Sequence, residues 1–223
     1  MKKKIIITGG LGYIGTELCK LYSGLSWHHE ILVIDNRFIS ERVNQLRNWN
    51  MNFLQGDILD KEMVNKNFKD ADVVHHLAGI TNVPRTQSES VKSQYEKILS
   101  VAKDGTKNIL DAMNDNCKII FPSTHVVYEG IDEVSKDINE EVETKPVLSY
   151  SKSKAINEKQ IKESQKNYVI LRLGSVYGYS TDTMRTDIMP NLFSKISSQN
   201  GTLKLFAGGR QTKSLVPLID VAR

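Results

Sequence analysis

Lys4-Ile5-Ile6-Ile7-Thr8 runs straight into Gly9-Gly10-Leu11-Gly12-Tyr13-Ile14-Gly15, and the residues from Tyr13 to Leu25 have helical length and composition. An apolar strand, a turn with glycines at 9, 12 and 15, and a helix, in that order, form the loop that receives a pyrophosphate. The need for glycine is steric: Gly9 makes the tight turn, Gly12 lets the backbone approach the phosphates, and Gly15 lets the helix pack close. The helix start adds free N–H groups and the positive end of its dipole. Asp35 closes the next apolar run, Ile31-Leu32-Val33-Ile34-Asp35, about 20 residues on, where a carboxylate accepts hydrogen bonds from the adenosine ribose. Its charge repels a 2′-phosphate and favours NAD over NADP, although the nearby Arg37 could pair with that phosphate.

Outward from this loop, short β-branched runs alternate with helical stretches. Strands are expected at Lys4 to Thr8, Ile31 to Asp35, Asn52 to Leu54, Val73 to His76, Lys118 to Phe121 and Tyr168 to Leu171. Helices are expected at Tyr13 to Leu25, Glu41 to Arg47, Lys61 to Phe68, Ser88 to Asn114 and Tyr150 to Ser164. The pattern predicts an α/β fold with a doubly wound parallel sheet whose strands, buried on both faces, need no alternation. Such sheets bind ligands at the carboxyl ends of their strands. Beyond Leu173 a helix is expected over Asp182 to Ser198, with strands at Leu203 to Phe206 and Leu215 to Ile219. The expected organisation is a dinucleotide-binding unit over 1–173 and a small, incomplete C-terminal cap over 174–223. The chain ends at Val221-Ala222-Arg223 with no evident closing element, as a truncated chain would.

Composition narrows the class only by exclusion. Thirty basic residues against 26 acidic ones are spread along the chain, which gives no nucleic-acid footprint. The lysines at 2 to 4 precede an apolar run too short for a signal peptide or a membrane span. Cys19 and Cys117 lie far apart without metal-type spacing and read as packing residues in a reducing, cytoplasmic setting. His75 and His76 are adjacent in a strand and point to opposite faces, so they form no metal pair; no metal is expected.

Three further segments carry chemistry. Gly56-Asp57-Ile58 follows the third strand, with Asp57 either hydrogen-bonding the adenine amino group or capping the next helix. His76-Leu77-Ala78-Gly79 ends the fourth strand in small residues, as a backbone wall against a cofactor requires. Tyr150 and Lys154 stand one helical turn apart on one face, where an ammonium would lower the phenol's pKa and make it a usable base. Thr124, in Phe121-Pro122-Ser123-Thr124-His125, places a hydroxyl at the same sheet edge.

Taken in order, the glycine loop, Asp35, Gly56-Asp57-Ile58, His76-Leu77-Ala78, Ser123-Thr124 before Val127-Tyr128, Tyr150-x-x-Ser153-Lys154, and Leu171-Arg172 before Val176-Tyr177-Gly178 resemble the extended short-chain dehydrogenase/reductases, the NAD-dependent epimerase/dehydratase family. The resemblance runs from Lys4 to Ala222 and implies a Rossmann fold. It implies NAD held by Gly9, Gly12, Tyr13, Ile14, Gly15, Asp35, Asn36, Asp57, Ile58, Leu77, Ala78, Gly79, Tyr150 and Lys154. It makes Tyr150 the acid/base, Lys154 its activator and ribose ligand, and Thr124 the residue that orients the substrate hydroxyl. The implied substrate is a nucleotide sugar, with Thr124, Ser175 and Lys213 on its side. A homodimer through the Ser88 to Asn114 and Tyr150 to Ser164 helices is also implied.

Departures from the family pattern bear on the reaction. The acidic pair that family dehydratases carry after the Thr is replaced by His125 and Val126, and the decarboxylases' Glu is absent at Val126. Ala102 and Ser175 stand where many members have Asn, and Lys213, in Gln211-Thr212-Lys213-Ser214, stands where an Arg commonly binds the substrate diphosphate. Lysine keeps that charge but loses the bidentate fork. The leading expectation is a nucleotide-sugar epimerase like UDP-glucose 4-epimerase. The alternatives are a net oxidoreductase such as a keto-sugar reductase, a dehydratase of the same family, and a non-enzymatic cofactor sensor on the same fold.

Overall fold

Six parallel strands build the main sheet: β1 (Lys4–Thr8), β2 (Glu30–Asp35), β3 (Asn52–Gln55), β4 (Val73–His76), β5 (Lys118–Thr124) and β6 (Asn167–Leu173). Their order is β3-β2-β1-β4-β5-β6, every pair parallel, which is the doubly wound arrangement. The structure, a computed structural model, describes residues 2–81, 89–131, 138–180, 183–210 and 212–223. Ser88, Asp182 and Gln211, which enter the sequence expectations, lie outside the described residues.

The continuous apolar runs are explained by two cores, one on each face of the sheet. Ile6, Ile34, Val74, Ile119 and Phe121 point into one, with Phe68 of α3 (Lys61–Phe68) and Ile161 of α6 (Ser149–Glu163). Ile5, Ile7, Ile31 and Val33 point into the other, with Leu18 of α1 (Tyr13–Tyr22) and Val43 of α2 (Ser40–Asn48). The two-residue side-chain period of a strand therefore serves helices on both sides. The strand order reverses between β1 and its neighbours β2 and β4, which opens a crevice at their carboxyl ends.

The long helix expected over Ser88 to Asn114 is α4 (Glu89–Ser100), a π-helical turn over Val101–Gly105, and α5 (Thr106–Ala112) in unbroken succession. Side chains of α6 take up carbonyls of the widened turn: Asn157 donates to Ala102 O at 2.7 Å and Gln160 to Lys103 O at 2.9 Å.

Several expectations are corrected. β6 is an edge strand, and Tyr168, Val169 and Leu171 are exposed rather than buried on both faces. The helix expected from Asp182 starts only at α7 (Met189–Ser198), because Pro190 cannot sit inside a helix and is accommodated in its first turn. No strand forms over Leu203 to Phe206; a 3₁₀ turn occupies Phe206–Gly209. The strand expected over Leu215 to Ile219 is β8 (Leu215–Pro217), which pairs in parallel with β7 (Ser175–Tyr177) and gives way after Pro217 to α8 (Leu218–Ala222). That helix packs on α1.

Candidate active site

At the carboxyl end of β1 the chain turns through Gly9, whose φ of +66° suits glycine and where a Cβ would lie 2.8 Å from Ala78 N. A Cβ on Gly15 would lie 2.5 Å from Gly9 O, so the first turn of α1 sits directly on the loop. α1 begins without a side-chain cap, and its first intrahelical acceptor, Gly12 O, serves Thr16 N at 2.9 Å. The first-turn residues Tyr13, Ile14 and Gly15 line a cavity of about 1200 Å³ that runs along the carboxyl edge of the sheet. A single small-molecule pocket is typically ~300–1000 Å³. This volume suits two ligands side by side.

Every site residue expected from the sequence lines that one cavity. Gly9, Gly12, Asp35, Asn36, Asp57, Ile58, Leu77, Ala78 and Gly79 lie with the first turn of α1, and Thr124, Tyr150, Lys154, Ser175 and Lys213 lie farther along. The buried Asp35 carboxylate accepts Leu11 N at 3.1 Å, while Arg37 reaches it through Nε at 3.1 Å and Nη2 at 3.3 Å. The arginine foreseen as a phosphate partner is thus spent on the carboxylate. Asp57 accepts Leu59 N at 3.0 Å and faces Asn36 Nδ2 at 3.4 Å; the cap of α3 is Asp60, which accepts Met63 N at 3.0 Å. The glycine cradle, uncapped helix start and carboxylate fit a dinucleotide.

Thr124 ends β5 and caps the 3₁₀ turn His125–Tyr128 through Val126 N at 3.3 Å. Tyr150 and Lys154 project from α6 beside it. Burial raises the Tyr150 pKa, opposed by the Arg185 charge and a hydrogen bond with Thr124. The expected lowering by Lys154 is not found. Lys154 Nζ lies 5.9 Å from the Tyr150 ring centroid, donates to Pro122 O at 2.8 Å, and sits 4.4 Å over the Phe121 ring. Burial pushes its own pKa down to about 8, partly offset by Glu158.

The floor beneath is polar and satisfied. His76 contacts Thr8 Oγ1 at 3.0 Å and Thr106 Oγ1 at 2.9 Å, and His75 contacts the Tyr22 hydroxyl at 2.8 Å on the other face. Burial lowers both, His75 to about 4 and His76, lowered further by the Lys154 charge, to about 3. Glu158 accepts Ser123 Oγ and pairs with Arg172 at 2.7 Å, which ties α6 to β5 and β6 behind the site. Cys19 and Cys117 are buried and free, as packing residues.

Among the charged residues that line the cavity, Arg42, Lys97, Glu129, Arg185 and Asp187 escaped the sequence reading. Arg42 donates to Leu11 O. Glu129 accepts Val147 N, Leu148 N and the Ser151 hydroxyl; burial raises its pKa, but these bonds prevail and hold it below the usual carboxylate range. Arg185 pairs with Asp187 at 2.7 Å. None carries a local motif.

The model of the NAD dependent epimerase/dehydratase family matches residues 5–223. A relative named "Putative UDP-glucose 4-epimerase" from Methanocaldococcus jannaschii is 32% identical over 98% of this chain and 71% of its own length. A dTDP-D-glucose 4,6-dehydratase from Dictyostelium discoideum is 28% identical over 98% of this chain and 54% of its length. The UDP-glucuronic acid 4-epimerase from Bacillus cereus, in complex with UDP-glucuronic acid and NAD, superposes with a TM-score of 0.80 at 27% identity, over 98% of this chain and 70% of that one. The chain thus spans between about half and about seven-tenths of these relatives' lengths. A doubly wound sheet, a glycine cradle with its carboxylate, and a family match that runs from β1 to the last residue together show that this chain belongs to the NAD dependent epimerase/dehydratase family.

Proposed function

We propose that this protein is an NAD-dependent nucleotide-sugar epimerase. The observation that carries the reading is the wall of Thr124, Tyr150 and Lys154 in one cavity with the glycine cradle, and with His125 and Val126 where an eliminating enzyme needs a second acid and base. The two carboxylates on that side, Glu129 and Asp187, are held by hydrogen bonds or by Arg185. Relatives of both kinds exist, an epimerase and a dehydratase, and the engaged carboxylates favour the former.

NAD bound there would supply a hydride acceptor for oxidation of a sugar hydroxyl and, once reduced, a hydride donor for the reverse reduction. In this reading Gly9, Gly12 and the first turn of α1 hold the pyrophosphate, Asp35 the adenosine ribose, and Asp57 the adenine. Lys154 holds the other ribose, while the Arg185 charge and the Thr124 hydrogen bond favour the phenolate. Thr124 orients the sugar hydroxyl. Tyr150 Oη takes that hydroxyl's proton as hydride leaves and gives it back on return, so no net proton or electron is exchanged. Ser175 and Lys213 face the nucleotide diphosphate, with residues 174–223 as a substrate cap, and the protein works as a homodimer.

The test is incubation with NAD and a panel of UDP-sugars, including UDP-glucose and UDP-glucuronic acid, with products resolved by NMR. A C4 epimer without net absorbance change at the NADH band is expected. Stoichiometric NADH release, or a 4-keto-6-deoxy product, would overturn the reading in favour of an oxidoreductase or a dehydratase. Tyr150→Phe should lower kcat by about 10²–10⁴-fold with NAD binding retained.

A further inference from the structure

Asn191 is the one residue of α7 recorded as buried, 3% exposed, and its amide uses every group it has. Its Oδ1 accepts Gly178 N at 3.0 Å; its Nδ2 donates to Tyr13 Oη at 3.3 Å and to Arg185 O at 2.8 Å. Tyr13 closes the circuit by donating to Gly178 O at 2.6 Å. One side chain therefore joins three parts of the cavity: the first turn of α1, the glycine that follows β7, and the loop that carries Arg185. The first belongs to the dinucleotide end and the last to the wall that faces Tyr150, where the Arg185 charge opposes the effect of burial on the phenol.

We propose that Asn191 is a positioning residue that couples the two ends of the cavity, holding the Arg185 loop in register with the first turn of α1 so that a dinucleotide seated on that turn also orders the substrate wall. The proposal rests on the epimerase reading for what Arg185 does beside Tyr150, but not for the coupling itself. Buried amides with three partners also serve plain stability. What separates the two roles is transmission. A structural amide, once removed, loosens its surroundings whether or not cofactor is present; a coupling amide changes how far the effect of cofactor travels.

The experiment is amide hydrogen exchange on the full chain with and without saturating NAD⁺, for the wild type, Asn191→Ala and Tyr13→Phe. In the wild type NAD⁺ is expected to slow exchange at residues 9–16 and also at Gly178 and 183–188. In both variants, each saturated with NAD⁺ and with the backbone N–H groups of the first turn intact, the first effect should persist and the second should fall by roughly five- to tenfold, the factor for one lost hydrogen bond. Tyr13→Phe removes a single hydroxyl and keeps the test decisive if Asn191→Ala fails to fold. NAD⁺-induced slowing at 183–188 that survives in Tyr13→Phe, or that is absent from the wild type, overturns the proposal. A protein that transmits the effect yet turns over no nucleotide sugar sustains the coupling while refuting the epimerase reading.

Discussion

Lys154 carries an ammonium into a site where it is 8% exposed, with Pro122 O as its recorded hydrogen-bond acceptor. Its pKa falls from 10.5 to about 8, so the unfolded chain holds more protons than the folded one between those values. The cost of burying the charge is fully present below about pH 8 and fades as pH rises toward 10.5. Lys154→Met is therefore expected to abolish activity while making the fold more stable at pH 7, by about 1–2 kcal/mol once the orphaned Pro122 carbonyl is counted. Urea unfolding at pH 7 and at pH 10 should show that advantage shrinking at the higher pH. A variant less stable than the wild type at pH 7 would contradict the argument. Under the proposed function the lysine is kept for its chemistry at the expense of stability.

At the scale of elements, α6 is held to the sheet by a buried ion pair as well as by Ile161. Glu158 meets Arg172 of β6 and Ser123 of β5, and Arg172 also reaches the Tyr128 hydroxyl and Glu140 O. The Glu158 pKa is raised by burial but lowered further by Arg172 and Ser123. The stability it contributes is present above the unfolded carboxylate's pKa and is lost as pH falls through the folded one. Glu158→Ala should leave a buried guanidinium unpaired and cost about 3–5 kcal/mol, or roughly 6–20 °C in Tm. Thermal unfolding followed by circular dichroism measures it; a fall below 2 °C, or so, would mean that the pair is relieved by water. The π-turn is a second device of this scale, since Asn157 and Gln160 of α6 satisfy its carbonyls and keep α4 and α5 registered on α6.

For the whole molecule, cofactor binding should appear as stability. NAD⁺ at about 100 times its Kd adds ~2.7 kcal/mol and should raise Tm by roughly 5–11 °C. Gly15→Ala, whose new methyl would meet Gly9 O at 2.5 Å, should weaken binding by about 10–100-fold and erase most of that shift at the same concentration. Differential scanning fluorimetry on the two proteins decides it, and an equal shift in both would refute the role given to the loop.

The fold and the residues gathered around the cavity were legible in the sequence because both are written in short range: an apolar strand, glycines spaced for a turn, a carboxylate at the end of the next strand, and a Tyr and a Lys one helical turn apart. Steric need within a few residues determines such features, and the strand order then brings their ends together. Only the tertiary structure decided what burial does to them. It set Lys154 against Pro122 rather than Tyr150, spent Arg37 on Asp35, and engaged Glu129 through the distant amides of Val147 and Leu148. Asn191 bears no local signature, since its partners Tyr13 and Gly178 come from segments outside α7. The opening glycine loop thus settles which ligand class the sheet edge can cradle, while the charges that tune the chemistry depend on solvent exclusion, which exists only once the chain has closed over them.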